Sequence, residues 1–172
     1  MKDIHNFYNV SDYLPLFNGA LLAEIVVIFI VYYTPYFNSF FLKKWYETYR
    51  LGAVTADVFI LLIGFIITRY IYTKFKLKWN IFKFLGILLA VQIFHDYLFY
   101  LFFTSVPRNT NKMLDLFKDY ANEVSYKAIL GDSFMILLAA IVASYFAYLN
   151  PNINIIILII LFYLLPYILY TK

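Results

Sequence analysis

The chain has 172 residues, of which 64% are hydrophobic and 23% aromatic, and its formal net charge is +4. Only 14% are charged, against about 25% in an ordinary soluble domain, which excludes both a soluble globule and a disordered chain. The absence of cysteine excludes disulfides and thiol chemistry. Lysine and arginine lie mostly between apolar runs and form no nucleic-acid-binding motif, so we expect an integral membrane protein with no nucleic-acid partner.

Five apolar stretches are each long enough to cross about 30 Å of hydrocarbon as a helix. They cover residues 18–37, 51–72, 84–106, 128–149 and 153–170, and we number them span one to span five. The sequence therefore predicts an all-α, polytopic protein with a single membrane domain of residues 1–172. The lipid bilayer is one of its expected partners.

Two connections carry clear signals. Asn150, Pro151 and Asn152 form a turn whose proline is pre-set to open a helix, which predicts a tight hairpin between spans four and five. Residues 110–126 have helical spacing, with one apolar side made of Met113, Leu114, Phe117, Ala121 and Val124. This pattern predicts a short amphipathic helix in the membrane interface; a loop helix packed on neighbouring loops is the alternative.

Tyrosine and tryptophan side chains fall near the predicted span ends, as an aromatic belt at the membrane surface requires. These are Tyr32, Tyr33, Trp45, Tyr46, Tyr72, Trp79, Tyr148 and Tyr170.

Polar side chains inside the spans are the candidate functional residues. They are Glu24, Asp57, Gln92, His95, Asp96 and Asp132. An ionisable group there costs about 2.5–3.5 kcal/mol, so we expect each to face a partner, a cavity or water. Counting residues from the span ends predicts one cluster of Asp57, His95, Asp96 and Asp132 in one half of the membrane, with Glu24 apart in the opposite half.

Helical spacing supports this cluster. Gln92 and Asp96 are four residues apart and share a face. Small or polar residues share the faces of two acidic residues: Ala53, Gly64 and Thr68 with Asp57, and Ala139, Ala143 and Ala147 with Asp132. Because small residues let membrane helices approach closely, we expect spans two, three and four to form the functional centre. Span five, without any charge, should face lipid or another copy of the chain.

Non-functional interpretations stay open for several of these residues. Asp132 could cap the start of span four, and Asp57 could reach water among the headgroups. Glu24 could pair with a neighbouring subunit, and we expect Arg69 to extend its charged end to the interface. The polar residues of span three could form a static hydrogen-bond network that fixes helix packing.

Three stretches carry a family resemblance: QIFHDYLFYLFF, PRNTNKMLDLFKDYANE and KAILGDSF. Through them, residues 51–172 resemble uncharacterised multi-span membrane proteins of nucleocytoplasmic large DNA viruses. The resemblance implies a viral or host-acquired protein in a host cell membrane or an internal virion membrane. It includes no catalytic signature and implies no mechanism.

The leading functional hypothesis is a small oligomeric channel or transporter that handles protons or cations, because clustered carboxylates repel one another and attract a proton or a cation. A structural membrane or virion component is the first alternative. An enzyme acting on a lipid or sterol is the second, and it requires an apolar cavity beside His95 and Asp96. Whether the protein is an enzyme stays open. No cofactor is expected, but Asp57, His95, Asp96 and Asp132 are candidate ligands for a divalent metal.

Overall fold

The computed structural model describes residues 1–170, and within that range it is all-helical, with no strand. A 3-10 turn at Val10–Asp12 leads into seven α-helices. They are α1 (Tyr13–Tyr33), α2 (Phe40–Tyr49), α3 (Leu51–Lys74), α4 (Ile81–Ser105), α5 (Lys112–Val124), α6 (Lys127–Phe146) and α7 (Pro151–Leu169). Five of them, α1, α3, α4, α6 and α7, are long and apolar enough to cross a membrane, which confirms the predicted fold class.

The first span lies further towards the N-terminus than the predicted residues 18–37. Helix α1 begins at Tyr13 and ends at Tyr33. Thr34 is extended, with φ −126° and ψ 157°, because it precedes Pro35 and the proline ring disfavours the helical conformation of the residue before it. The shift places Glu24 near the middle of the helix, eleven residues after its first residue and nine before its last.

The hairpin between α6 and α7 has the predicted geometry. Pro151 is the first residue of α7, and the Asn150 side chain accepts a hydrogen bond of 2.9 Å from the Ile153 backbone N–H. The Asn154 amide then donates to the Phe146 carbonyl at 2.9 Å, which ties the start of α7 to the end of α6.

Helix α1 lies at the centre of the bundle, packed against α3, α6 and α7. Its closest approach is to α6: a Cβ added to Gly19 would come within 2.6 Å of the Ala139 carbonyl oxygen and 2.9 Å of the Ala143 Cβ. The small-residue face predicted around Ala139, Ala143 and Ala147 is indeed buried there. Helix α7 buries one face against α1, and most of its other residues are exposed.

One end of the bundle, which we call the packed half, is closed by the N-terminal residues. The Arg69 guanidinium, fully buried, donates to the carbonyls of Asn6 and Asn9, the latter at 2.8 Å, and pairs with the Asp12 carboxylate at 3.2 Å. Arg69 thus extends its charged end towards this end of the bundle, but the N-terminal segment and not water receives it. The physical reason is that the N-terminal segment folds back over α3 and supplies the charge and acceptors that the guanidinium would otherwise find in water.

The opposite end, the cavity half, is covered by the two short helices α2 and α5, which we call the cover helices. Helix α5 confirms a helix within residues 110–126, whereas α2 was not predicted. The Glu123 carboxylate of α5 joins them by accepting hydrogen bonds from the Ser39 hydroxyl and from the backbone N–H groups of Phe40 and Phe41, at 2.7 and 3.1 Å. The aromatic ring of Phe117 lies 4.8 Å from that of Trp45.

Candidate functional site

A cavity of about 1110 Å³ lies in the cavity half, between α1, α3, α4 and α6 and beneath the cover helices. We call it the central cavity. Its wall is formed by the last third of α1, the first half of α3, the second half of α4 and the first half of α6. Five of the six predicted site residues line it: Asp57, Gln92, His95, Asp96 and Asp132.

The acidic residues reach the cavity at two neighbouring depths. Asp57 lies six residues after the first residue of α3, and Asp132 five after the first residue of α6, which corresponds to about 8–9 Å from that end of the bundle. Glu24 and Asp96 each lie nine residues before the last residue of their helices, or about 14 Å. The two levels differ by about one helical turn, so we call these four residues the carboxylate cluster.

Glu24 does not lie apart from the other acidic residues, and this part of the prediction is wrong. Its side chain is 0% exposed and lies beside the Asp57 carboxyl, facing the Tyr46 hydroxyl. Tyr46 and Asp57 are its hydrogen-bonding neighbours, although neither carboxyl oxygen is in ideal hydrogen-bond geometry with them. The error follows from the predicted start of span one at residue 18, which put Glu24 near the opposite membrane surface instead of near the middle of α1.

The polar residues of α4 share one face, as their spacing predicted. The Gln92 amide donates to Asp96 Oδ1 at 2.7 Å, and His95 Nδ1 lies 3.2 Å from the same oxygen. The second Asp96 oxygen is buried without a hydrogen bond. The His95 ring stacks on Phe99 with 5.9 Å between ring centres, which holds the imidazole beside the carboxylate.

The carboxyls of α3 and α6 also face the cavity. Asp57 accepts a hydrogen bond of 3.0 Å from the Trp45 indole N–H. Asp132 lies within the electrostatic influence of Asp96 and Asp57. Because Asp132 is five residues inside α6, and Tyr126 occupies the capping position, the interpretation of Asp132 as a helix cap is wrong.

The carboxylate cluster has no cationic partner from lysine or arginine among residues 1–170. The described acidic residues that pair with such a side chain lie elsewhere: Asp12 with Arg69, Asp119 with Arg108 and Asp115 with Lys118. His95 is the single basic side chain within ion-pair distance of the cluster in the described structure. Glu24 is thus fully buried, and Asp57, Asp96 and Asp132 are partly exposed to the central cavity, at a depth where unneutralised charge is costly.

Three site residues come from the cover helices and were missed by the sequence reasoning. Trp45 and Tyr46 were assigned to the aromatic belt, yet they are 3% and 1% exposed and line the cavity together with Tyr120. A signal for α2 was present, since Leu42, Trp45, Tyr46 and Tyr49 recur at helical spacing after the capping residue Ser39.

The two tyrosine hydroxyls supplied by the cover helices remain protonated. Burial, reinforced by the neighbouring Glu24 and Asp57 carboxyls, raises the pKa of Tyr46 well above its usual value. Burial and the charge of Asp132 likewise raise the pKa of Tyr120. Both phenols can therefore act as hydrogen-bond donors towards the carboxylate cluster.

The candidate metal ligands are not assembled as a metal site. Within residues 1–170, no group of three or more histidine, aspartate or glutamate side chains is placed to hold a metal ion. The carboxyls of Asp57, Asp96 and Asp132 instead come from three different helices around the central cavity.

Apolar and aromatic side chains complete the cavity. Trp45, Phe99, Phe103 and Phe117 pack against one another along one side of it, with 4.8–6.3 Å between ring centres, and we call these four the aromatic wall. The predicted apolar side of α5 also turns towards this cavity and the other cover helix. This placement favours the packed loop helix over the helix embedded in the interface.

No protein-family model matches the chain, no curated protein matches it, and no solved structure matches it. The resemblance to viral membrane proteins therefore stays a prediction.

Proposed function

We propose that the chain is a membrane transporter that binds protons or small cations at the carboxylate cluster. One observation carries the proposal: four acidic side chains meet in the membrane half that contains the central cavity, and no lysine or arginine within residues 1–170 neutralises them. Isolated charges at such depth cost several kcal/mol each, so the cluster is stable only when protons or cations occupy it.

The arrangement suits stepwise transfer of a proton. Asp132 interacts electrostatically with Asp96 and Asp57, and Asp57 in turn adjoins the buried Glu24. His95, beside Asp96, can take up a proton at one ring nitrogen and release it from the other. The carboxyls therefore lie at two neighbouring depths between the cover helices and the centre of the bundle.

A carrier fits the structure better than an open pore. The cavity lies in one half of the bundle, whereas the packed half is closed by the N-terminal segment and by the buried pair of Arg69 and Asp12. Passage across the membrane thus requires a second conformation in which the packed half opens. A binding site that is reached from one side at a time is the arrangement that alternating access uses.

Flux measurements on reconstituted protein test the proposal. The full chain is placed in vesicles that contain a pH-sensitive dye, and proton movement is followed after a potassium diffusion potential is imposed; sodium and potassium uptake are measured in parallel. We expect Asp96→Asn and His95→Ala each to reduce the active flux at least about tenfold, an energetic effect of about 1.4 kcal/mol. Asp119→Asn, which removes an exposed carboxylate of α5, is the matched control and should leave the flux unchanged.

Wild-type rates in both Asp96→Asn and His95→Ala would contradict the proposal. A wild-type protein without flux of protons, sodium or potassium above that of empty vesicles would contradict it as well.

A lipid-modifying enzyme is the second candidate, because the structure contains the apolar cavity beside His95 and Asp96 that this hypothesis requires. The pair would act as a general acid and base on a substrate that lies along the aromatic wall. Conversion of membrane lipids by the purified wild-type protein, and its loss in His95→Ala, would favour this function over transport.

A further inference from the structure

The central cavity is far larger than a proton or an inorganic ion requires. Its volume of about 1110 Å³ equals or exceeds that of sites for drug-sized organic molecules, which span about 300–1,000 Å³. A proton relay alone needs adjacent carboxyls and no such space. The cavity therefore has room for an organic molecule in addition to the ion that the carboxylate cluster attracts.

The charge of the cavity wall favours a positively charged ligand. Asp57, Asp96 and Asp132 line the cavity, and no lysine or arginine does so within residues 1–170. Two further observations concern the same acids: one Asp96 oxygen is buried without a hydrogen bond, and the fully buried Glu24 adds a further acid beside Asp57. The ionised groups would repel an anion, whereas an organic cation would compensate them in place of protons.

The aromatic wall favours a ligand whose uncharged part is apolar. Phe99 lies next to the carboxylates, since the His95 ring stacks on it, and Phe117 lies 5.1 Å from Phe99. Phe and Trp faces attract cations and bury apolar groups at the same time. A ligand with one positive charge and an apolar body can thus satisfy both sides of the cavity.

We propose that the central cavity binds a lipophilic organic cation, such as an amine or a quaternary ammonium or phosphonium compound. Its charge lies among Asp57, Asp96 and Asp132, and its apolar body lies along the aromatic wall. The proposal rests on the proposed transport function and names the class of substrate that the same site accepts.

Binding of tetraphenylphosphonium to the full chain in a neutral detergent tests this inference. Isothermal titration calorimetry compares this cation with tetraphenylborate, an anion of nearly the same shape, so that apolar contacts are matched and only the charge differs. We expect the cation to bind at least about tenfold more tightly than the anion. Asp132→Asn and Asp57→Asn should each weaken cation binding about tenfold or more, whereas Glu47→Gln, an exposed acid of α2, should leave it unchanged.

The aromatic contribution has its own variants. Phe117→Leu keeps an apolar side chain but removes the ring, and we expect it to weaken cation binding about threefold to tenfold, since a cation–aromatic contact contributes about 0.5–1 kcal/mol or more. Circular dichroism of each variant identifies those that fail to fold, and the two aspartate variants provide independent tests.

Equal affinity for the cation and the anion would overturn the inference, because an uncharged apolar pocket would then explain the binding. Undetectable binding of the cation would overturn it as well. Proton and inorganic-cation flux, measured in vesicles without tetraphenylphosphonium, reports on the proposed function separately. Intact flux without cation binding defeats this inference alone, whereas selective cation binding without flux supports this site and defeats the transport proposal.

Discussion

The two halves of the bundle treat buried charge in opposite ways. In the packed half, the Asp12 carboxylate and two backbone carbonyls compensate the buried Arg69 guanidinium through its Nη2, and the Tyr13 ring lies 4.7 Å away, whereas its Nε and Nη1 make no hydrogen bond. In the cavity half, four carboxyls from α1, α3, α4 and α6 have one imidazole between them. The difference indicates that the Arg69–Asp12 pair holds the N-terminal segment onto the bundle, whereas the carboxylate cluster can bind a ligand.

The packed half and the cavity half also differ in how closely their helices pack. The packed half has close helix contacts, with Gly19 against the α6 backbone, and large buried side chains such as Phe65 and Phe84. The cavity half contains the central cavity of about 1110 Å³, and the cover helices lie over its end. A protein selected for stability alone would not combine unpaired carboxyls with unfilled volume.

The largest effect on stability should come from breaking the buried pair in the packed half. Arg69→Ala leaves Asp12 buried without its cation, and such a change costs about 3–5 kcal/mol. The free energy of unfolding in mixed micelles measures the loss. Arg108→Ala is the control, since it breaks an exposed pair with Asp119 of 2.8 Å and should cost no more than about 1 kcal/mol. Equal losses would mean that the buried pair does not stabilise the packed half.

A smaller loss is expected at the closest contact of the bundle. Gly19→Ala places a Cβ 2.6 Å from a backbone oxygen of α6, which cannot move without shifting that helix, and we expect a cost of about 1–3 kcal/mol. Gly86→Ala in α4 is the matched control, because a Cβ there meets no atom within 4 Å. If both variants unfold at the same temperature, α1 and α6 do not approach each other as closely as described.

In the cavity half, removing a buried acid should raise the free energy of unfolding instead of lowering it. Glu24→Met replaces a fully buried carboxyl, beside another acid, with an apolar side chain, so we expect the free energy of unfolding to rise by about 1–3 kcal/mol while flux is lost. Glu47→Met, at an exposed position of α2, should change neither quantity appreciably. A clear loss of stability in Glu24→Met would show that this acid supports the fold, contrary to the contrast between the halves.

The smallest effect concerns the contact that joins the cover helices. The slight burial of Glu123 favours its protonated form. Hydrogen bonds from the Ser39 hydroxyl and from the backbone N–H groups of Phe41 and Phe40 have the larger combined effect, and they lower the Glu123 pKa below its usual value. Its contribution is therefore complete above the unfolded pKa of about 4.3 and is lost as the pH falls through the folded pKa. Because the side chain is exposed, we expect Glu123→Gln to cost less than about 1 kcal/mol at pH 7.

Unfolding measured at pH 7 and again below pH 4 tests this prediction. The difference between the wild type and Glu123→Gln should shrink at the lower pH. A difference that stays constant or grows on acidification would contradict the role of the ionised Glu123 carboxylate.

The sequence predicted the spans well because each one is a continuous apolar run whose length matches the membrane. It also predicted that Asp57, His95, Asp96 and Asp132 share one region, since depth and helical face follow from residue counting. It misplaced Glu24 because an uncertain helix end, in an apolar helix without marked polarity, shifts every depth counted from it. The partners of Arg69 were not predicted, because the N-terminal segment that binds it contacts α3 only in the folded chain.

The cover helices set a further limit on what the sequence predicts. Trp45 and Tyr46 fit an aromatic belt and a cavity wall equally well, because both environments favour amphipathic rings. Their assignment depends on where α5 packs, and that contact joins residues more than 60 positions apart in the chain.

The most direct test of the account is the flux of Asp132→Asn in vesicles, measured together with its free energy of unfolding. Asp132 faces the central cavity, makes no ion pair among the described residues and interacts with Asp57 and Asp96. The account predicts that flux falls at least about tenfold while stability is unchanged or higher. Wild-type flux accompanied by a loss of stability would contradict it and identify the carboxylate cluster as part of the fold alone.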